Sequence, residues 1–283
     1  MKGILVVNKP SGYTSRDIVN IVGKCLGTKK IGHTGTLDPL ATGVLVLCID
    51  KGLKLVELLT NHDKEYVDKI ILGIETDTYD ITGNIINKRD ASNIKIRDIE
   101  RVLKKFLGNI KQEVPIYSSI KVNGKKLYEY ARNGEDVVLP VRDVNISNLE
   151  LTSDIFDGEF TIKCSVSKGT YIRSLVRDIG RELGCGAVMV ELERTRLGIF
   201  SLEDAYSLED IKNNKYKLID IEDAVMLPSV LVNDDLEKKI RNGMVLEKFF
   251  DSDMAFVKNS KGILLAIYQK KDDKYVKPYR MFL

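Results

Sequence analysis

The sequence predicts an α+β protein whose central sheet is mixed and largely antiparallel, with a smaller β-rich region near its C-terminal end. Segments with helical and strand periodicity follow one another without the regular alternation that a doubly wound sheet requires. The 283 residues are 43% hydrophobic, which is enough for a sizeable core. Their number suggests one large domain or two unequal ones.

The charge balance and the apolar runs narrow the class of protein only slightly. The 44 Lys and Arg residues against 41 Asp and Glu leave a formal net charge of +3, which excludes only a strongly acidic surface that repels nucleic acid. The apolar runs are far shorter than the roughly 20 residues that span a bilayer. The N-terminus lacks the apolar segment of a secretory signal. We therefore expect a cytoplasmic protein without a membrane association.

The N-terminal half combines short strands with amphipathic helices. Ser15 is expected to cap a helix that ends at Gly27, because apolar residues recur there at helical spacing and glycine commonly terminates helices. The other elements predicted in this half are the strands Ile4–Val7, Val44–Ile49 and Tyr66–Leu72 and the helix Ile96–Leu107, which stops at Gly108.

The C-terminal half contains a predicted strand, Ile162–Val166, and a helix, Ile172–Leu183, with a continuous apolar face. A domain boundary is predicted near Leu227 and Pro228, which divides the chain into residues 1–227 and 228–283. Short apolar runs separated by polar residues indicate that the second domain is β-rich. These runs are Val230–Val232, Met254–Val257 and Ile263–Tyr268.

The densest candidate site is the segment GHTGTLDPLATG at residues 32–43. Its glycines and threonines allow a tight and unusual backbone path. Pro39 directs Asp38 towards an extended conformation, so the carboxylate is presented on a stiff loop between two elements. The residues alone leave two interpretations open, since Asp38 could instead hydrogen-bond backbone amides in an ordinary turn.

Other familiar sites are absent from the sequence. The chain has neither GxxxxGK[ST] nor GxGxxG, and therefore no standard phosphate loop or dinucleotide motif. His33 and His62 are the only histidines, and none of the four cysteines has CxxC spacing. A Ser/His/Asp triad is equally poorly supported, because the chain has no GxSxG elbow. We therefore expect neither a metal ion nor a cofactor.

Eight segments together resemble the bacterial tRNA pseudouridine synthase B family, which modifies uridine 55 in the T arm. They cover most of residues 1–200 in order, which makes the resemblance far more specific than a lone G-x-L-D would be. The segments are NKPSGYTS at 8–15, residues 32–43, KEY at 64–66, TDTYDITG at 76–83, SSIK and GKKLYEYAR within 118–132, SKGTYIRSL at 167–175 and LERT at 192–195.

This resemblance implies a pseudouridine-synthase fold and a cofactor-free isomerisation of uridine to pseudouridine. It implies that Asp38 is the nucleophile, acting on a base flipped out of its stack, with Arg173 paired to it and Tyr66 stacked on the uracil. The residues alone are also compatible with an exposed Arg173 on a helix and a Tyr66 in the core.

The resemblance also implies how RNA is bound. A basic insertion at about residues 108–140 and a PUA-type domain at 228–283 would hold the tRNA, the latter near its acceptor end. His33 would fill the gap left by the flipped base, and Leu192 would form a pocket wall. Alternatively, His33 is a loop histidine bonded to backbone and Leu192 a core residue. The other implied RNA-binding residues are Lys9, Tyr171, Lys121, Lys125, Lys126 and Arg132.

Two further readings of the function stay open at this stage. One is a non-catalytic tRNA-binding or folding protein on the same scaffold. The other is a glycoside or nucleoside hydrolase, in which Asp77 or Asp80 would be the second carboxylate facing Asp38. The basic insertion and the basic, aromatic tail at 268–283 favour a polymeric anion such as tRNA as the partner, and we expect the protein to be a monomer.

Overall fold

A computed structural model describes residues 2–283 of the protein, which form two β-sheets, two small hairpins and seven α-helices. The helices are α1 (Ser15–Cys25), α2 (Val56–Thr60), α3 (Ile96–Lys105), α4 (Leu127–Asn133), α5 (Ile172–Leu183), α6 (Leu208–Lys212) and α7 (Asp234–Arg241). The strands are β1 (Gly3–Lys9), β2 (Ile31–His33), β3 (Thr42–Ile49), β4 (Lys64–Leu72), β5 (Ile74–Thr76), β6 (Ile85–Lys88), β7 (Gly108–Glu113), β8 (Lys121–Val122), β9 (Lys125–Lys126), β10 (Val141–Leu151), β11 (Glu159–Val166), β12 (Ala187–Leu197), β13 (Phe200–Ser201), β14 (Ser229–Val232), β15 (Leu246–Glu247), β16 (Met254–Asn259), β17 (Leu264–Lys270) and β18 (Tyr275–Met281).

The larger sheet has nine strands in the order β1-β3-β12-β4-β11-β10-β7, with β2 paired to β3 and β13 paired to β12. All of its strand pairs are antiparallel except β3 with β12. The predicted α+β class with a mixed, largely antiparallel sheet is therefore confirmed. No helix within residues 2–283 is long and apolar enough to cross a membrane.

Two long strands, β10 and β12, are missing from the elements predicted by sequence. Their alternation is interrupted by bulges, which lie between Ile146 and Asn148 in β10 and after Met189 and Arg194 in β12. A bulge inserts one residue and shifts every later side chain to the other face, so a simple period of two is lost.

The residue that caps the first helix lies one position earlier than the sequence predicts. Thr14, rather than Ser15, is the N-cap: its hydroxyl accepts the N–H of Asp17, whose carboxylate accepts the N–H of Thr14. Ser15 is buried, and its hydroxyl bonds to both the N–H and the carbonyl of Leu37. The side chain predicted to cap the helix therefore anchors the Asp38 loop instead.

The smaller sheet, in the order β14-β16-β17-β18-β15, packs against the first and third strands of the chain. Phe256, Ile267 and Phe282 share one apolar cluster with Ile4 and Val6 of β1. The other face of β1 packs into the main core. Burial on both faces explains why β1 is continuously apolar rather than alternating.

Side chains that follow β3 also bind the backbone at the end of β18 and just after it. The ammonium groups of Lys51 and Lys54 donate to the carbonyls of Phe282 and Met281, respectively. Arg280 of β18 forms an ion pair with Glu57. Polar and apolar contacts together hold the smaller sheet against the larger one.

Candidate active site

Asp38 lies on the loop between β2 and β3, which is fixed at several points. The carbonyl of Pro39 accepts the N–H of Gly12 at 2.9 Å and the ammonium of Lys9 at 3.2 Å. Ser15 holds the neighbouring Leu37 through both of its backbone polar groups. The stiff presentation expected from Pro39 is thus produced by contacts with the segment that follows β1.

The resemblance implies that Lys9 binds RNA, but its ammonium group is taken up by backbone carbonyls. Lys9 is 0% exposed, and its ammonium donates to the carbonyls of Pro10, Tyr13 and Pro39 at 2.7–3.2 Å. Burial, together with the charge of Arg194, lowers the pKa of Lys9 to about 8, although Asp38 opposes that change. Lys9 has no exposed surface for a phosphate, and it supports the Asp38 loop through the carbonyl of Pro39.

Asp38 and Arg173, which are 135 residues apart in sequence, form a two-pronged ion pair. The Nε–Oδ2 distance is 2.8 Å and the Nη2–Oδ1 distance is 3.2 Å. The side chain of Arg173 is only 7% exposed, whereas that of Asp38 is 36% exposed. Arg173 is therefore not an ordinary surface arginine, and the carboxylate keeps an open side towards solvent.

Further contacts fix the Arg173 guanidinium. It donates to the carbonyls of Thr78 at 3.1 Å and Tyr117 at 3.0 Å. The carboxylate of Asp80 lies 3.9 Å from its Nε and accepts hydrogen bonds from Thr78 and Thr82. The guanidinium therefore has two carboxylates within 4 Å of its Nε. The carboxylate of Asp80 contacts Arg173. It does not lie across an open cleft from Asp38, where a glycoside or nucleoside hydrolase needs its proton donor.

A cavity of about 460 Å³ opens beside the Asp38–Arg173 pair. Its walls include Tyr66 of β4, Leu192 of β12 and Tyr171, which directly precedes α5. Tyr66 is buried, which raises the pKa of its phenol, and Arg194 partly opposes that rise. The structure thus brings five of the predicted site residues, Asp38, Tyr66, Arg173, Tyr171 and Leu192, to one cavity.

His33 ends β2 next to this cavity, which the following residue, Thr34, helps to line. Within residues 2–283 its buried Nδ1 atom has no hydrogen-bond partner. Burial and the charges of Arg16 and Arg194 lower the pKa of His33. The imidazole of His33 is therefore held beside the cavity with its Nδ1 atom unpaired.

Three residues of the site were not assigned roles from the sequence, because their importance comes from contacts that are distant in the chain. Lys64 lines the cavity, donates to the carbonyls of Thr60 and His62, and has a pKa lowered by burial to about 8. Arg194 lines it too. Gln112 binds both the N–H and the carbonyl of Tyr171, at 2.7 and 3.1 Å. Lys64 and Arg194 belong to the KEY and LERT motifs, whereas Gln112 belongs to none.

The basic insertion lies over the cavity, which Tyr128 of α4 helps to line. Lys126 and Arg132 approach the face of the Tyr128 ring at 5.3 and 5.2 Å, while Lys121 is exposed. Lys125 pairs with Glu135 at 2.6 Å. Glu135 belongs to the same insertion, so this ion pair neutralises part of the positive charge there.

The aromatic side chains of the C-terminal tail are only partly available to RNA. Tyr268 is buried and donates to the carbonyl of Met244, and Phe282 is buried between the two sheets. Tyr275 is exposed and Tyr279 is half-buried beneath Arg280. Stacking on bases is therefore restricted to the last two tyrosines.

Within residues 2–283 no three His, Cys, Asp or Glu side chains are grouped to hold a metal ion.

Two protein-family models match the chain. The N-terminal domain of the TruB family pseudouridylate synthases matches residues 23–172, and the C-terminal domain of tRNA pseudouridylate synthase B matches residues 173–233. The first match alone covers more than half of the chain.

Named relatives share about two fifths of the sequence over nearly its whole length. The tRNA pseudouridine synthase B of Caldanaerobacter subterraneus subsp. tengcongensis is 39% identical over 99% of both chains. The protein of the same name from Halalkalibacterium halodurans is 41% identical over 99% of this chain and 97% of its own.

Solved structures agree with these sequence matches. A chain of a Cbf5–Nop10–Gar1 complex superposes with a TM-score of 0.74 at 26% identity, covering 99% of this chain and 85% of its own. A chain of an H/ACA ribonucleoprotein bound to a substrate RNA has a TM-score of 0.72 at 25% identity, with the same coverage. The fold is a pseudouridine-synthase fold with a PUA-like C-terminal sheet, and the chain belongs to the TruB family of pseudouridylate synthases, which are isomerases.

Proposed function

We propose that the protein converts uridine 55 in the T loop of tRNA to pseudouridine, with Asp38 as the nucleophile. The observation that carries this proposal is the two-pronged Asp38–Arg173 pair, placed at a cavity that Tyr66 lines. Relatives that are 39% and 41% identical over 99% of the chain carry the name tRNA pseudouridine synthase B, which supports tRNA as the substrate.

The isomerisation breaks the C1′–N1 bond of uridine and forms a C1′–C5 bond, with no net gain or loss of atoms. Asp38 attacks an electron-poor carbon, either C1′ of the ribose or C6 of the ring, and is released when the new bond forms. N1 gains a proton and C5 loses one. No electrons leave the nucleotide, so this chemistry requires only positioned acids, bases and a nucleophile.

The companions of Asp38 each serve one part of this sequence. Arg173 orients both carboxylate oxygens through its planar fork, which keeps the nucleophile aimed at the cavity. The carboxylate of Asp80, 3.9 Å from the Nε of Arg173, places a second negative charge beside this guanidinium. Tyr66 stacks on the uracil, and its phenol, when ionised, accepts the C5 proton after rearrangement.

The target base must leave its stack to enter a cavity of this size. His33 occupies the vacated space, while Tyr171 and Leu192 bound the nucleotide. The basic insertion at 108–140, with Lys121, Lys125, Lys126 and Arg132, holds the T arm within a catalytic domain at 1–227. The PUA-like domain at 228–283 contacts the acceptor end, and a monomer acts on tRNA in the cytoplasm.

An assay with an unmodified tRNA transcript and no added cofactor tests this function. Pseudouridine at the T-loop position supports it, and Asp38→Asn should abolish conversion while tRNA binding persists. Asp143→Asn is the matched control, since Asp143 is exposed and pairs only with Lys111 on the sheet edge. Binding without conversion by the wild type would instead indicate an RNA-binding protein, and release of free uracil a hydrolase.

A further inference from the structure

Arg194 of β12 is a buried cation that the mechanism above does not use. It is 1% exposed and lines the cavity. Within residues 2–283 its guanidinium hydrogen-bonds backbone carbonyls and has no carboxylate partner in an ion pair. Burying an arginine without a counter-charge is unfavourable, so its retention at this position requires a reason other than stability.

The carbonyls that Arg194 binds lie at the two ends of the Asp38 loop. Its Nε donates to Val44 at 2.7 Å, and its Nη2 donates to Gly35 at 3.2 Å. A single side chain therefore closes the segment 35–44. The backbone of Arg194 also touches this segment, because a Cβ added to Gly43 would lie 2.3 Å from the Arg194 carbonyl oxygen.

Arg194 also faces the second reacting group. In the register between β12 and β4, Arg194 lies directly opposite Tyr66. Its guanidinium is close enough to the phenol to counteract part of the effect of burial on the pKa of Tyr66. The same side chain thus contacts the loop of the nucleophile and the strand of the aromatic residue.

We propose that Arg194 is a positioning residue that fixes the Asp38 loop relative to Tyr66 and supports transfer of the C5 proton to the ionised Tyr66 phenol. This inference rests on the proposed function. A guanidinium suits the task because its rigid fork can donate in two directions at once, whereas the single ammonium of lysine cannot reproduce that geometry. Its positive charge stabilises the ionised phenol electrostatically.

The test compares Arg194→Gln, which removes the charge, with Arg194→Lys, which keeps the charge but loses the fork. Single-turnover conversion at saturating tRNA, the Kd for tRNA, and release of tritium from C5 of the target uridine are measured across pH. Arg196→Gln is the matched control, because Arg196 lies on the same strand, is exposed and pairs with Glu65 outside the cavity.

We expect both Arg194 variants to lose about 100-fold or more in conversion, the size expected from a misplacement of about 1 Å. Their Kd for tRNA should stay within about 3-fold of the wild type, since Arg194 does not contact the solvent-exposed RNA-binding surface. Only Arg194→Gln should move the pH dependence of tritium release to higher pH. Arg196→Gln should behave as the wild type.

Several outcomes overturn the proposal. One is wild-type conversion by Arg194→Gln, and another is a loss that lies wholly in the Kd for tRNA. If both variants lose conversion equally and the pH dependence of tritium release does not move, Arg194 does not assist proton transfer at Tyr66. Its role is then structural only. If Arg194→Gln does not fold, wild-type conversion by folded Arg194→Lys is decisive against it. A wild type that makes no pseudouridine refutes the proposed function itself, which is a distinguishable result.

Discussion

Asp68 of β4 is a buried carboxyl group whose replacement should stabilise the protein. The residue is 0% exposed, and both of its carboxylate oxygens lack a hydrogen-bond partner within residues 2–283. Its neighbours on the flanking strands are Ile162 of β11 and Leu192 of β12. Burial raises the pKa of Asp68 well above its usual value. We predict that Asp68→Val is more stable than the wild type.

The size of the effect depends on pH. Below about pH 4 the carboxyl is neutral in both states, and removing a buried polar group without a partner should gain about 1–3 kcal/mol. Because the pKa of Asp68 is raised in the folded state, the unfolded chain binds fewer protons above pH 4. The wild type should then lose up to about 1.4 kcal/mol per pH unit relative to Asp68→Val, until pH passes the folded pKa.

Guanidinium unfolding at half-unit steps between pH 4 and pH 8 measures this difference. Asp68→Asn separates the two contributions, since it keeps a buried polar group but cannot ionise; it should lose the pH slope and keep the constant penalty. In thermal scans each kcal/mol corresponds to roughly 2–4 °C. Parallel pH curves for the wild type and Asp68→Val, or a less stable Asp68→Val at every pH, would refute the reasoning.

Two further predictions concern side chains that contact Arg173 and Tyr171. Asp80→Asn removes the charge of one of the two carboxylates beside the Arg173 guanidinium. Single-turnover conversion should therefore fall about tenfold or more, with little change in the affinity for tRNA. An unchanged rate would show that Asp80 is dispensable. Gln112→Glu keeps the acceptor for the Tyr171 N–H but loses the donor to its carbonyl, so the free energy of unfolding should fall by about 1–3 kcal/mol in denaturant titrations. Equal stability would contradict that role.

Local signals predicted those parts of the fold that depend on short stretches of chain. Both ends of α5 are as predicted, because a continuous apolar face precedes a glycine that adopts a left-handed conformation at Gly184. Thr14 and Ser15 are both capable caps, and only the packing of Ser15 against Leu37 decides between them. The bulges of β10 and β12 likewise depend on the partner strand.

For the site, motifs predicted which residues come together more reliably than they predicted the surroundings of each residue. Asp38 and Arg173 stood in quoted motifs, and the structure brings them together across 135 positions. Lys9 stood in one too, but its burial among carbonyls could not be read from the residue type. Gln112 lay outside every motif, since its importance comes from one long-range contact with Tyr171.

The packing of Phe282 against Ile4 has a consequence for synthesis on the ribosome. One face of β1 shares an apolar cluster with residues of the last strands, so the burial of that face is complete only after translation has passed residue 282. Apolar surface that is only partly covered during elongation can take part in non-native pairing. Full burial of the first strand in the nascent protein therefore depends on residues that are synthesised more than 250 positions later.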